Sequence, residues 1–352
     1  MGIVFVRPVP QSRFPGFANR LDMENRMSQT KFTRLLQAIA FSSLVFFGGQ
    51  TLDAQEKEKE VREPLYRIGN SKPTNGFANS TTEANAETAK PEPKAEPKTD
   101  PQPTAKPNTN EAIENLAPID RALHVAEEGL RFIRSDVRDF TATMIKRERI
   151  NGVVGKPEFA EVKIRNGRAS ENIPFSIYMN FTRPNSIAGR EVIFVKGHND
   201  GKLIAHEGKG LIGNITAHLD PDGMLAMKGQ RYPIYEAGIE NLVYRLIEKG
   251  QRDKTLGDAE VKFFEDVKIN KRACTLIQVT HPKKRPEYDF YICRVFIDKE
   301  LNVPIRYAAY GWPEKKGGKP TLEEEYTYLN MKLNVGLTDA DFNHENPKYN
   351  YK

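Results

Sequence analysis

Reactive side chains are scarce in this sequence of 352 residues, which has two cysteines, six histidines and one tryptophan. His124, His198, His206, His218, His281 and His344 are not spaced as metal pairs on a helix, and no Cys-x-x-Cys occurs. No metal or other cofactor is therefore expected, and the histidines read as surface or hairpin residues. Neither a phosphate-binding G-x-x-x-x-G-K-[ST] loop nor a G-x-S-x-G elbow is present. Gly208-Lys209-Gly210-Leu211-Ile212-Gly213 fits G-x-G-x-x-G, but that motif must open a helix, and Asp220-Pro221-Asp222-Gly223 breaks the chain soon after. The same Asp-Pro-Asp-Gly lacks the later ligands of a calcium loop and reads as a tight turn. Glu323, Glu324 and Glu325 are consecutive in a strand and should alternate faces, so no converging carboxylate pair is expected. The absences together argue against an enzyme. Concentrated charge is also missing. The net charge of +6 is unevenly distributed, but its excess over residues 118–352 is mild for so large a surface, and Lys283-Lys284-Arg285 reads as a solvated hairpin tip, so no nucleic-acid partner is expected.

Long apolar runs are nearly absent too. Leu35–Phe47 is about 13 residues long, too short to span about 30 Å of hydrocarbon comfortably. Lys31 and Arg34 precede it and small residues follow, which is the layout of a secretory leader with Ala54 before the cut. Export to the periplasm or the extracytoplasmic envelope is the expectation, with membrane association only if the leader stays uncleaved. Pro8, Pro10 and Pro15 are foreign to a leader, so Met27, or else Met23, is the expected start. No cysteine follows the run to take a lipid.

Composition then divides the chain into a 1–54 extension and leader, a 55–117 tether and a 118–352 domain. Six prolines fall within residues 90–107; they remove hydrogen-bond donors, and few apolar residues offset the entropy of ordering them. Beyond the tether, Ile119, Ala122, Leu123, Ala126, Leu130 and Ile133 recur at helical spacing. The period then changes to two: Phe140, Ala142 and Met144; Ala160, Val162 and Ile164; and Phe175, Ile177, Met179 and Phe181 alternate with polar residues. Asn151-Gly152, Asn166-Gly167 and Asn199-Asp200-Gly201 are turn signals. A second helix carries Ile234, Ala237, Ile239, Leu242, Val243, Leu246 and Ile247 and is expected to stop at Gly250. Strands resume at 259–266, 272–280, 288–297, 304–310 and 321–332. The predicted plan is α+β, an antiparallel sheet with helices on one face.

Cys274 and Cys293 lie on successive predicted strands. Closing the hairpin around His281–Pro286 sets them opposite each other, and an oxidising compartment permits a disulfide. Two buried free thiols are the alternative.

Several stretches resemble an uncharacterised bacterial family, domain of unknown function family 1571: Pro174–Met179, Gly189–Phe194, Gly197–Lys202, Leu219–Gly223, Tyr232-Pro233-Ile234 with Gly238-Ile239, and Leu337–Phe342 followed by Asn346-Pro347-Lys348-Tyr349. Val295-Phe296-Ile297-Asp298-Lys299 followed by Pro304-Ile305-Arg306 is similar to a hairpin of the LolA/LolB lipoprotein-carrier superfamily. That likeness implies a curved antiparallel half-barrel with helices covering its concave face and an apolar cavity for a lipid tail. The inward-alternating Phe140, Met144, Phe175, Ile177, Met179 and Phe181, with Leu242 and Leu246, are the candidate cavity lining. The expected role is to bind a lipid, a lipoprotein or another apolar ligand. The alternative is a non-catalytic structural or interaction domain for other envelope proteins.

Overall fold

Residues 66–67, 113–208, 214–315 and 317–351 are described by the computed structural model. The leader, the expected start at Met27 and nearly all of the tether lie outside them.

Helix α1 (Pro118–Asp136) starts on a proline, whose missing N–H costs nothing in the first turn. Its buried stripe is Leu123, Leu130 and Ile133. Val137 turns extended, and β2 (Asp139–Ile150) follows. Asn151 (φ 50) and Gly152 (φ 81) then make the predicted turn into β3 (Val153–Val154). Next come β4 (Glu158–Arg165), β5 (Ser176–Arg183), β6 (Glu191–Val195), β7 (Leu203–Glu207) and β8 (Ile215–Leu219). After residues 220–238 comes α2 (Ile239–Leu256), then β9 (Glu260–Ile269), β10 (Arg272–Thr280), β11 (Ile292–Asp298), β12 (Pro304–Gly311) and β13 (Thr321–Leu333).

All the strands join one curved, unclosed antiparallel sheet. Its order is β1-β9-β10-β11-β12-β13-β2-β4-β5-β6-β7-β8, where β1 is Tyr66–Arg67 and β3 hangs off β2. Two meanders, β2 to β8 and β9 to β13, thus meet at a seam between β13 and β2 that runs from Glu324↔Glu148 to Leu333↔Phe140.

On the face packed against the helices, the period-two residues line up in rows. Phe140, Ile164 and Ile177 form one; Ala142, Val162 and Met179 the next; Met144, Ala160 and Phe181 the third. They share a cluster with Leu123, Leu130 and Ile133 of α1 and Ile239, Val243 and Ile247 of α2. Each such large side chain contributes about 1.5–3 kcal/mol on full burial. The opposite face of β5 and β6 presents Tyr178, Ile193 and Val195, roofed by Phe342 and Tyr349. Tyr349 stacks on Tyr178 at 4.1 Å, and Lys163 binds Asp341 at 2.7 Å.

Two expectations are corrected. Gly250 does not stop α2, which runs six residues further to Leu256 and ends at Gly257 with φ 77. Gly250 is instead a contact point between the helices, since a Cβ there would lie 2.9 Å from Leu123 Cδ2. Nor do the cysteines face each other: Cys274 pairs with Asp298, Cys293 pairs with Val279, and both thiols are free. Five residues separate Cys293 from the position across from Cys274, about 17 Å along the strand, far beyond disulfide reach. The odd separation also puts the two on opposite faces. The reason is the loop: His281 is buried and binds Tyr291 through its backbone N–H, so the connection is longer than a hairpin tip.

Candidate functional site

Between β8 and α2, residues 220–238 cross the helix-packed face with no regular structure except a 3-10 turn at Ile234–Glu236. The segment begins with the predicted turn, where Asp220 Oδ1 accepts the N–H of Asp222 at 3.0 Å. Met224, 87% exposed, and Leu225 point outward, while Ala226, Ile234 and Ala237 pack on the main apolar cluster. Tyr235 lies beside Phe194 of β6 and donates to Asp222 at 2.6 Å. Phe175, Val192, Ala205 and Leu219 pack against the same apolar cluster but are only partly buried, unlike the rows of β2, β4 and β5.

The far end of the segment is held by charge. Along β2 the apolar phase Phe140, Ala142, Met144 continues as Lys146 and Glu148, both nearly fully buried. β13 matches them, with Tyr328 opposite Met144, Tyr326 opposite Lys146 and Glu324 opposite Glu148. One face of the sheet therefore switches from apolar to ionisable within two residues. Gln230 accepts from Lys146, which also lies 3.6 Å from Glu148 and 3.2 Å from Glu158. The Arg231 N–H donates to Glu148 at 3.2 Å. Its guanidinium lies 3.2 Å from Glu324 and 3.4 Å from Glu323. Tyr307 donates to Glu324 at 2.9 Å and Tyr326 to Glu148 at 2.5 Å. Burial first pushes the Tyr307, Tyr326 and Tyr232 hydroxyls well above the usual phenol range, with Cys293 and Glu324 adding to it at Tyr307, Glu148 and Glu324 at Tyr326, and Glu324 at Tyr232, so they remain donors. Burial opposes the charge of Arg231, but Glu324, Tyr232 and Glu323 outweigh it.

The convergence of Glu323 and Glu324 overturns the strict alternation expected of them. Ala309 pairs with Glu324 but Tyr310 with Leu322, so Glu323 is an extra residue in a β-bulge. A bulge resets the alternation and lets neighbours address one partner. Glu325 does obey the rule and binds Arg306 elsewhere, at 2.8 Å.

Two cavities flank the segment's charged end. One of about 310 Å³ is bordered by Arg231, Tyr232, Lys249, Phe290, Glu323 and Glu324. The other, about 210 Å³, is bordered by Lys146, Glu148, Glu158 and Gly229 among others. None of the eight candidate lining residues borders either of these two cavities. Phe140, Met144, Ile177, Met179 and Phe181 come together in the main apolar cluster with side chains of both helices, and Phe175 packs against it partly buried. Leu242 and Leu246 join a separate cluster with Phe290, Cys293, Val295, Tyr307 and Ala309.

His206 and His281 are buried rather than at the surface or a hairpin tip. Nε2 of His281 lies 2.9 Å from Asp253 Oδ2 and Nδ1 lies 2.9 Å from the Phe290 carbonyl, with the ring stacked on Tyr288 at 3.8 Å. Both ring nitrogens are engaged, and the pair ties α2 to the β10–β11 loop. Among the described residues no group of three His, Cys, Asp or Glu is placed to hold a metal ion.

The family model described as "Protein of unknown function (DUF1571)" matches residues 137–351. Comparison with curated proteins gives no match. Among solved structures, a DUF1329 family protein from Desulfovibrio piger is similar at 12% identity and TM-score 0.33, over 65% of this chain and 98% of that one. A putative outer membrane lipoprotein-sorting protein domain from Vibrio parahaemolyticus is similar at 14% identity and TM-score 0.30, over 64% and 97%. A LolA superfamily protein from Nitrosomonas europaea is similar at 12% identity and TM-score 0.26, over 63% and 97%.

Proposed function

The chain belongs to the DUF1571 family, and we propose that it is an exported envelope protein that holds an apolar chain, such as a lipid tail, on the concave side of a half-barrel. Helices α1 and α2 cover part of that side, and residues 220–238 act as the movable cover over the rest. The observation that carries this reading is the irregular cover itself. Its Ala226, Ile234 and Ala237 pack on the same apolar cluster as the partly buried Phe175, Val192, Ala205 and Leu219, and Gln230 and Arg231 tie it to the charged end of the sheet. A segment outside the sheet ladder and the α-helices is the part of a domain that opens at least cost. Each acyl methylene buried beneath it contributes about 0.8 kcal/mol, so a short stretch of chain offsets a few lost polar contacts. Export rests on the leader at residues 31–54. Catalysis forms no part of the reading.

A second reading, a non-catalytic interaction domain, draws on Met224 and Leu225, which expose an apolar tip on the outer side of the cover. Native mass spectrometry of protein purified from its own envelope separates the two. A lipid-sized adduct that denaturation removes is the expected result. Bare protein, with no thermal shift on adding single-chain amphiphiles of any head group, would overturn lipid binding in favour of the interaction domain.

A further inference from the structure

Glu148 and Glu324 are direct partners across the β2–β13 seam, and each is more than nine-tenths buried. Like charges directly opposite each other in a sheet repel, and two buried carboxylates ionise together only if cations face them. Part of their support is fixed in the sheet: the Tyr326 hydroxyl on Glu148, the Tyr307 hydroxyl on Glu324, and Lys146, which is divided between Glu148 and Glu158. The rest arrives on the movable cover. Arg231 gives its backbone N–H to Glu148 and its guanidinium to Glu324 and Glu323. Oε2 of Glu324 is buried without a hydrogen bond of its own, and the nearest charge is Arg231 Nε at 3.2 Å. The same glutamate borders the 310 Å³ cavity. Of the other charges there, Lys249 is taken by Asp289 at 2.9 Å and Glu323 shares Arg149 at 3.1 Å. When the cover lifts, Arg231 leaves with it, and the sign left without compensation is negative.

From this geometry, and resting on the reading above, we propose that the bound apolar chain carries a cationic head, an ammonium or guanidinium, which takes the place of Arg231 against Glu148 and Glu324. A cation there restores charge-assisted hydrogen bonds to both carboxylates. An anionic head meets repulsion, and a neutral one leaves a buried charge uncompensated. Phe290 and Tyr232, at the same cavity, offer ring faces of the kind that favour cations.

The test is calorimetric titration of the full chain with dodecylammonium, dodecyl maltoside and dodecanoate, each below its micelle concentration. Dodecylammonium is expected to bind about tenfold or more tighter than the maltoside, with dodecanoate weakest. In Glu324→Gln, and separately in Glu148→Gln, that preference for the ammonium head over the maltoside should shrink severalfold. The ranking in the unaltered protein needs no variant, and the two variants are independent, so misfolding of one leaves the other to report. Equal binding of all three heads, or a preference that survives both substitutions, overturns the cationic head and leaves the apolar-chain reading standing. No binding of any of them overturns that reading itself.

Discussion

Burial decides what the two thiols can do. Burial chiefly, with Asp298 nearby, pushes Cys274 up to about 11, and burial pushes Cys293 higher still. Reactivity belongs to the thiolate, so neither is a nucleophile or a ready disulfide partner at neutral pH. Iodoacetamide is expected to leave the native protein unmodified. In denaturant without reductant it should add to both cysteines, as read by intact mass; a mass showing a closed disulfide would contradict the observed β10–β11 register. The charged site was partly legible at this scale. Lys146 and Glu148 occupy the apolar phase of β2, after Phe140, Ala142 and Met144, and a charge in a buried phase marks a site or an ion pair. Arg231 was not legible, because it lies in a segment with no period from which to infer its direction.

Among the elements, the β11–β12 turn shows how one carboxylate sets a connection. Asp298 is fully buried and accepts the N–H groups of Glu300 and Leu301, each at 2.9 Å, and the Arg272 guanidinium. Asn302 then takes φ 54, and Pro304 opens β12. Burial alone would raise the Asp298 carboxyl, but Arg272 and the two backbone N–H groups outweigh it and hold it below the usual range. A carboxyl lowered on folding stabilises fully above its unfolded value near about 3.9, and that stabilisation fades as pH falls through the folded value. Asp298→Asn is therefore expected to lose about 2 kcal/mol at neutral pH and to show a flatter stability profile below about pH 4, measured by urea unfolding across pH. Helix α1, the body of α2 and the strands β2, β4, β5 and β9 to β13 were readable because their periods are clean. The β10–β11 register was not, because a loop's length cannot be judged while one of its residues, His281, folds inward. The bulge at Glu323 was hidden for a related reason: an extra residue leaves no mark in the alternation of Glu323-Glu324-Glu325.

At the scale of the molecule, the order of strands matters more than any single contact. The chain lays down β2 to β8 as one meander and β9 to β13 as another, then joins them at the β13–β2 seam. That seam, the α1–α2 contact at Gly250 and Leu123, and the roof of Phe342 and Tyr349 over Tyr178 all tie one half to the other. The covalent path between the halves runs only through residues 220–238. Cutting an engineered protease site at Met224–Leu225 is therefore expected to leave two pieces that co-elute in native buffer and separate in denaturant. Two fragments that part without denaturant would mean the seam is too weak to hold alone. The domain is in this sense a heterodimer written on one string: its halves suit split-protein complementation, each supplied as a separate polypeptide and reassembled by the other.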